Sequence, residues 1–215
     1  RSIVQIAIEE MGHLVAVWNL TSALGSAPRV GRTNFPLEPG LLPARITVRL
    51  APFAPATLQH FIFLERPADS TEPEGPGFEP ERVFVRGATE PRLTPMGLDY
   101  DTVGAFYLAL GQGLAAFEAE HGEADAFCGD RGLQIGGDEI TLAGASPVLC
   151  LKTALAALDA IVRQGEGAQH HSIDSHYQRF VAIREEWAVL VAANPAFEPA
   201  HPAATNPVLR RPPRP

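Results

Sequence analysis

The chain has 215 residues, of which 46% are hydrophobic and 20% charged, with 17 basic against 25 acidic side chains. These proportions exclude global disorder and suit one domain with a sizeable core, residues 1–207, followed by a Pro/Arg-rich tail at 208–215. A formal charge of −8 argues against nucleic-acid and anionic-lipid partners, and no run reaches the roughly 18 unbroken apolar residues of a membrane span.

The chain opens at Arg1, almost directly inside an apolar-periodic segment and without a signal peptide, so further upstream sequence is expected. Residues 2–24 read as a helix whose stripe is Ile3, Ile6, Ala7, Glu10, Leu14, Val17, Thr21 and Leu24. Ser2 and Gln5 have capping-box spacing, and Gly25 supplies a stop. Residues 26–99 are dense in proline, which forbids long helices. Within them, 44–50 alternates as a strand, 56–64 is a short helix presenting Leu58, Phe61 and Ile62, and 68–81 is a polar loop.

A second long helix starts at Asp99 or Asp101 and runs to Glu120, with Val103, Phe106, Tyr107, Leu110, Leu114 and Phe117 on its apolar face. Glycine-rich turns at 122–145 enclose two strand-like pieces, 133–135 and 139–142. Ser146 and Pro147 open a third helix to about Arg163, Gly165 and Gly167 interrupt it, and Asp174 caps a last helix over 175–193. A proline-rich tail then drapes over the surface. Cys128 and Cys150 are too few for a disulfide framework, so two thiols in a reducing cytoplasm are expected.

Two segments carry chemistry. Glu10 and His13 form Glu-x-x-His, which puts both side chains on one helical face, here the apolar one. A carboxylate facing a core is costly unless it is paired, protonated or bound to metal. Inward-facing Glu-x-x-His pairs mark iron and manganese carboxylate sites in helix bundles, and Gly12 would let a neighbouring backbone approach. The second segment holds Glu166 between Gly165 and Gly167, then His170, His171 and His176. Neutral imidazole suits iron, copper and zinc. His176 falls on the first turn of a helix, where the backbone is rigid, whereas His170 and His171 read as a solvated turn. Other chemistries fit worse: the order is not that of a His-Glu-x-x-His zinc helix, and neither a phosphate-binding glycine loop nor Gly-x-Ser-x-Gly is present.

The segments 7–14 (AIEEMGHL), 34–36 (NFP), 64–67 (LERP), 103–107 (VGAFY), 164–167 (QGEG) and 175–180 (SHYQRF) occur in register. Together they resemble the ferritin-like domain of the iminophenyl-pyruvate dimer synthase group, over residues 1 to about 207. The resemblance implies a mainly α, ferritin-like four-helix bundle with long proline-rich and short β-hairpin insertions, its first helix missing from this chain. It also implies iron, as one or two ions with manganese or zinc as substitutes, held by Glu10, His13, Glu166 and His176. The group's third-helix motif has an acid where this chain has Ala105, which points to a reduced ligand set.

The expected function is metal-dependent oxidative chemistry on a small amino-acid-derived substrate. The alternative is a non-catalytic scaffold or small-molecule binder, which Ala105 favours and the retained Glu10 and His13 oppose. Neither nucleic acid nor membrane is expected as a partner, and a homodimer is the preferred assembly because proline-rich arms wrap neighbours.

Overall fold

The computed structural model describes residues 1–29, 35–37, 42, 46–79, 99–142, 144–165 and 174–208. Along it run α1 (Ser2–Ala23), α2 (Pro55–Leu64), α3 (Val103–His121), the short α4 (Glu123–Ala126), a 3-10 turn (Arg131–Leu133), α5 (Leu151–Gln164) and α6 (His176–Ala193). The fold is mainly helical, as expected. No helix among the described residues is long and apolar enough to cross a membrane.

Local chemistry sets the helix ends. Thr102 Oγ1 accepts the Ala105 N–H at 3.1 Å, and Gly122 leaves α3 with a φ of +86°, so that helix is stopped at both ends. Pro55 occupies the first turn of α2, where its missing N–H costs nothing. Ser175, rather than Asp174, caps α6 by accepting the Gln178 N–H at 3.3 Å.

Three expectations are corrected. The third helix does not begin at Pro147. Val148 N–H donates to Gln134 Oε1 at 2.6 Å and its carbonyl accepts from Gln134 Nε2 at 2.8 Å, which holds that backbone extended until Thr153 Oγ1 caps Cys150 N–H at 3.1 Å. The β-hairpin insertion is absent, since no strand occurs among the described residues. Around 133–142 the backbone partners are side-chain amides and turns instead. Asn19 Oδ1 accepts Ile135 N–H at 2.7 Å, while Asn19 Nδ2 donates to Ile135 O at 2.8 Å and Ser146 O at 3.1 Å. Likewise the described part of 44–50 makes only an isolated bridge, Val48 to Leu37, and Leu50 pairs its backbone with Asn206 of the tail.

The third correction concerns α1. Its buried face is Ile6, Gly12, His13, Val15, Ala16, Asn19, Leu20, Ser22 and Ala23, whereas Ile3, Leu14 and Val17 of the expected stripe are exposed. Apolar residues surround this helix, so their spacing does not single out one face. Small residues decide it, because they admit close neighbours. The Gly144 backbone crosses at Gly12, where an added Cβ on Gly144 would sit 3.2 Å from Gly12 O, and Gly129 N–H donates to Ala23 O at 3.0 Å.

α1 thereby serves two cores. Leu20 and Ala23 pack with Leu114 of α3, Val148, and Ala154 and Leu158 of α5. Ile6, a few turns earlier, packs with Leu58 and Ile62 of α2 and Tyr177 and Phe180 of α6. Phe61, expected in the core, is 38% exposed but stacks on Phe180 with ring centroids 5.2 Å apart. Both cysteines are free thiols.

Asn19 is fully buried and satisfies three backbone groups of the connection that separates α4 from α5. Asn19→Ala is expected to lower unfolding stability by about 2–4 kcal/mol, because it strands buried donors and acceptors. Urea denaturation should show the midpoint falling with little change in slope; a midpoint equal to wild type would contradict this role.

Candidate metal centre

The seam between the two cores is where the charged residues gather. Glu9, Glu10 and His13 come from the middle of α1, Glu65 ends α2, Gln164 and Gly165 end α5, and His176 and Arg179 begin α6. His176 is fully enclosed and Glu65 is buried, whereas Glu10 is half-buried and reaches in from the rim.

His176 organises the cluster. Its Nε2–H donates to Glu9 Oε2 at 2.9 Å, and Glu9 also receives both guanidinium nitrogens of Arg179, at 2.8 and 3.3 Å. The other ring nitrogen, Nδ1, therefore faces Glu10 Oε1 at 2.8 Å and Glu65 Oε1 at 3.9 Å. Despite that proximity Nδ1 has no hydrogen-bond partner, and neither have Glu10 Oε1 and Glu65 Oε2. One nitrogen and two carboxylates, buried and turned toward one another, are an expensive arrangement unless positive charge, a proton on the ring or a metal cation, sits among them.

Space exists for such a cation. Glu10, Glu65 and His176 each offer a donor atom within 4.8 Å of the others. Gly165 borders the same space: a Cβ added there would collide with His176 Nδ1 and lie 2.9 Å from Glu65 Oε2. A side chain at this position would fill the site. Mixed imidazole and carboxylate donors of this kind suit iron, manganese or zinc.

The electrostatics follow from the same contacts. Burial works against the charge on Glu10, but the interactions with His13 and His176 outweigh it and hold the carboxyl down at about 2. Burial likewise opposes the imidazolium of His176, yet Glu10 and Glu65 push that ring up to about 10. Burial raises the Glu65 carboxyl, with the neighbouring Glu10 charge adding to it. Metal-free, the cluster thus holds a proton on His176 where a metal would otherwise sit.

Of the residues expected from the sequence, Glu10 and His176 meet directly. His13 lies beside them, its ring centroid 5.6 Å from that of His176, with Nδ1 donating to Glu10 Oε2 at 3.2 Å and Nε2 2.8 Å from Gln164 Oε1. Glu166, with His170 and His171, lies outside the described residues. Ala105 lies on α3 and lines a groove against α5. Glu65 was not singled out as a ligand, because the helix it ends carries no Glu-x-x-His spacing; the signal available was an acid directly after a wholly apolar run, fixed by the following Arg66-Pro67.

Comparison with known proteins bears on this arrangement. The sequence model of the Ferritin-like family matches residues 1–185. No curated protein and no solved structure matches. A match over most of the chain, on a mainly helical fold with a carboxylate–histidine cluster between its helices, places this protein in the ferritin-like family.

Proposed function

We propose that the protein is a metal-dependent oxidative enzyme, with Glu10, Glu65 and His176 as the ligands described here and iron as the metal. The observation that carries this reading is the convergence of one imidazole nitrogen and two carboxylates, each offering a donor atom within 4.8 Å of the others, on a space that only a glycine at 165 leaves open. Iron bound there would supply redox chemistry and open coordination positions for a small substrate. Glu166, on the glycine-flanked stretch that follows α5, is proposed as a further ligand. The ordered motifs shared with the iminophenyl-pyruvate dimer synthase group support an amino-acid-derived substrate, by analogy only.

The chain's own residues have defined parts in this scheme. Glu9 accepts the Nε2–H of His176, which fixes the tautomer and aims Nδ1 inward. Arg179 holds Glu9 with two hydrogen bonds and keeps it charged. His13 orients Glu10, and Gln164 braces His13 from α5. His13 would join the ligand set only by giving up that bond to Glu10. The first turn of α6 adds the positive end of its dipole, which favours the nearby carboxylates.

Elemental analysis of the purified protein should find iron or manganese near one or two equivalents. Glu65→Ala and His176→Ala should each lose it, and Glu9→Ala should weaken binding about 10–100-fold while the fold persists. Full metal content in His176→Ala would refute the site. If Glu65→Ala proves insoluble, Glu65→Gln serves, since it keeps the volume and removes the charge.

A pH dependence follows for the metal-free protein. The folded His176 titrates near 10, above its unfolded value of about 6.5, so its stabilising contribution is complete below about 6.5 and is lost as pH rises through 10. For Glu10, held at about 2, the sign is reversed: its contribution is complete above about 4.5 and disappears as pH falls through 2. Melting temperature against pH should therefore fall between about pH 6.5 and 10, and His176→Gln should flatten that limb. Metal uptake must displace the imidazolium proton, so affinity should rise over the same range. An affinity independent of pH would contradict this linkage.

A further inference from the structure

α3 and α5 do not close on each other along their whole length. They touch at Gly111, where an added Cβ would lie 3.2 Å from Leu155 Cδ2, and a groove with a cavity volume of about 560 Å³ opens alongside. Small residues on α3, namely Gly104, Ala105 and Ala115, make its depth, and Leu155, Leu158 and Val162 of α5 form the facing wall. From Gly104 to Ala115 the groove follows the helix for about 16 Å at 1.5 Å per residue. Its volume lies within the range of small-molecule sites rather than packing defects.

The wall chemistry narrows the occupant. Among the described residues it carries no Arg, Lys or His, and its one acid, Asp159, is paired with Arg163 at 2.7 Å. Tyr107 is its single aromatic ring. Among the described residues an anionic ligand would find no countercharge beyond the Arg163 already paired with Asp159, and a stack of rings would find few partners. The position is equally specific. Val162 lies one turn before Gly165, which borders the carboxylate–histidine cluster, and Ala68 at the same end follows Glu65 by three residues.

We propose that this groove binds an elongated, neutral, largely aliphatic small molecule whose polar end points toward the Glu10–Glu65–His176 cluster. The orientation rests on the metal reading; the groove's affinity for such a molecule does not. Ala105 belongs to this site, because a longer or charged side chain there would occupy the end of the groove nearest the cluster.

Displacement of the fluorescent probe N-phenyl-1-naphthylamine by decan-1-ol, measured on the full chain, tests the proposal. Wild type should bind the probe and release it to decan-1-ol. Ala115→Phe and Ala105→Phe, which fill opposite ends, should each weaken decan-1-ol binding at least about tenfold with little change in melting temperature. Val189→Ala, on the exposed part of α6, should have no effect. Undiminished binding in both Phe variants would overturn the groove as the site. So would absence of probe binding, as would a loss of self-association on sedimentation in place of a loss of probe, since the groove would then be a contact between copies. Orientation is read separately by NMR of decan-1-ol with Co2+-loaded protein, where the hydroxyl-end methylene should broaden more than the terminal methyl. Equal or reversed broadening would overturn the orientation. If Co2+ fails to bind, the metal reading falls, and displacement alone decides the groove.

Discussion

Everything around the seam of this protein answers one constraint: two carboxylates are held against one fully enclosed imidazole. Glu10 and Glu65 both face His176 Nδ1, at 2.8 and 3.9 Å, so the cluster is tolerable only with positive charge in it. A proton on His176 is the minimal solution, which is why that ring is pushed so far up. A metal ion is the fuller one, because it can satisfy three donors at once where a proton satisfies one. The same donor atoms that hold the proton in the metal-free protein would supply the affinity for a cation.

That cost requires support from elsewhere in the fold, and α1 provides it. One helix feeds two hydrophobic clusters, Leu20 and Ala23 into the α3–α5 side and Ile6 into the α2–α6 side. Glu9, Glu10 and His13 fall between them, so both clusters clamp the segment that bears the candidate ligand Glu10. Arg179 has a parallel role on α6. By binding Glu9 through two nitrogens it neutralises the outer carboxylate and leaves His176 to face the inner pair alone. The polar shell is therefore layered: a guanidinium outside, then Glu9, then a histidine between carboxylates.

How much of this could be read from the sequence depended on whether the signal was local. The spacing of Leu58, Phe61 and Ile62 marks α2, and Glu-x-x-His marks the part of α1 that reaches the cluster, because these patterns sit within one or two turns. His176 was legible as the start of a rigid helix. Which face of α1 is buried was not, since its apolar residues occur all round and the choice is made by Gly12, Ala16 and Ser22 against distant loops. The third helix began later than Pro147 implied because Gln134, fourteen residues away, takes the Val148 backbone for itself. Glu65 failed for the same reason. The residues before it are apolar, and the partners that give it meaning arrive from α1 and α6.

Ala105 bears on the groove through what it leaves out. An acid at that position of α3 would place charge against the aliphatic wall of Leu158 and Val162. With alanine there, the α3–α5 groove stays uncharged up to the end that adjoins the cluster. On the proposed metal reading, a centre with few carboxylates would leave coordination positions for an exogenous ligand, and the groove would offer an apolar approach to them. Ala105 and Gly165 each withhold a side chain, Gly165 from the space beside His176 Nδ1 and Glu65 Oε2, and Ala105 from the α3–α5 groove.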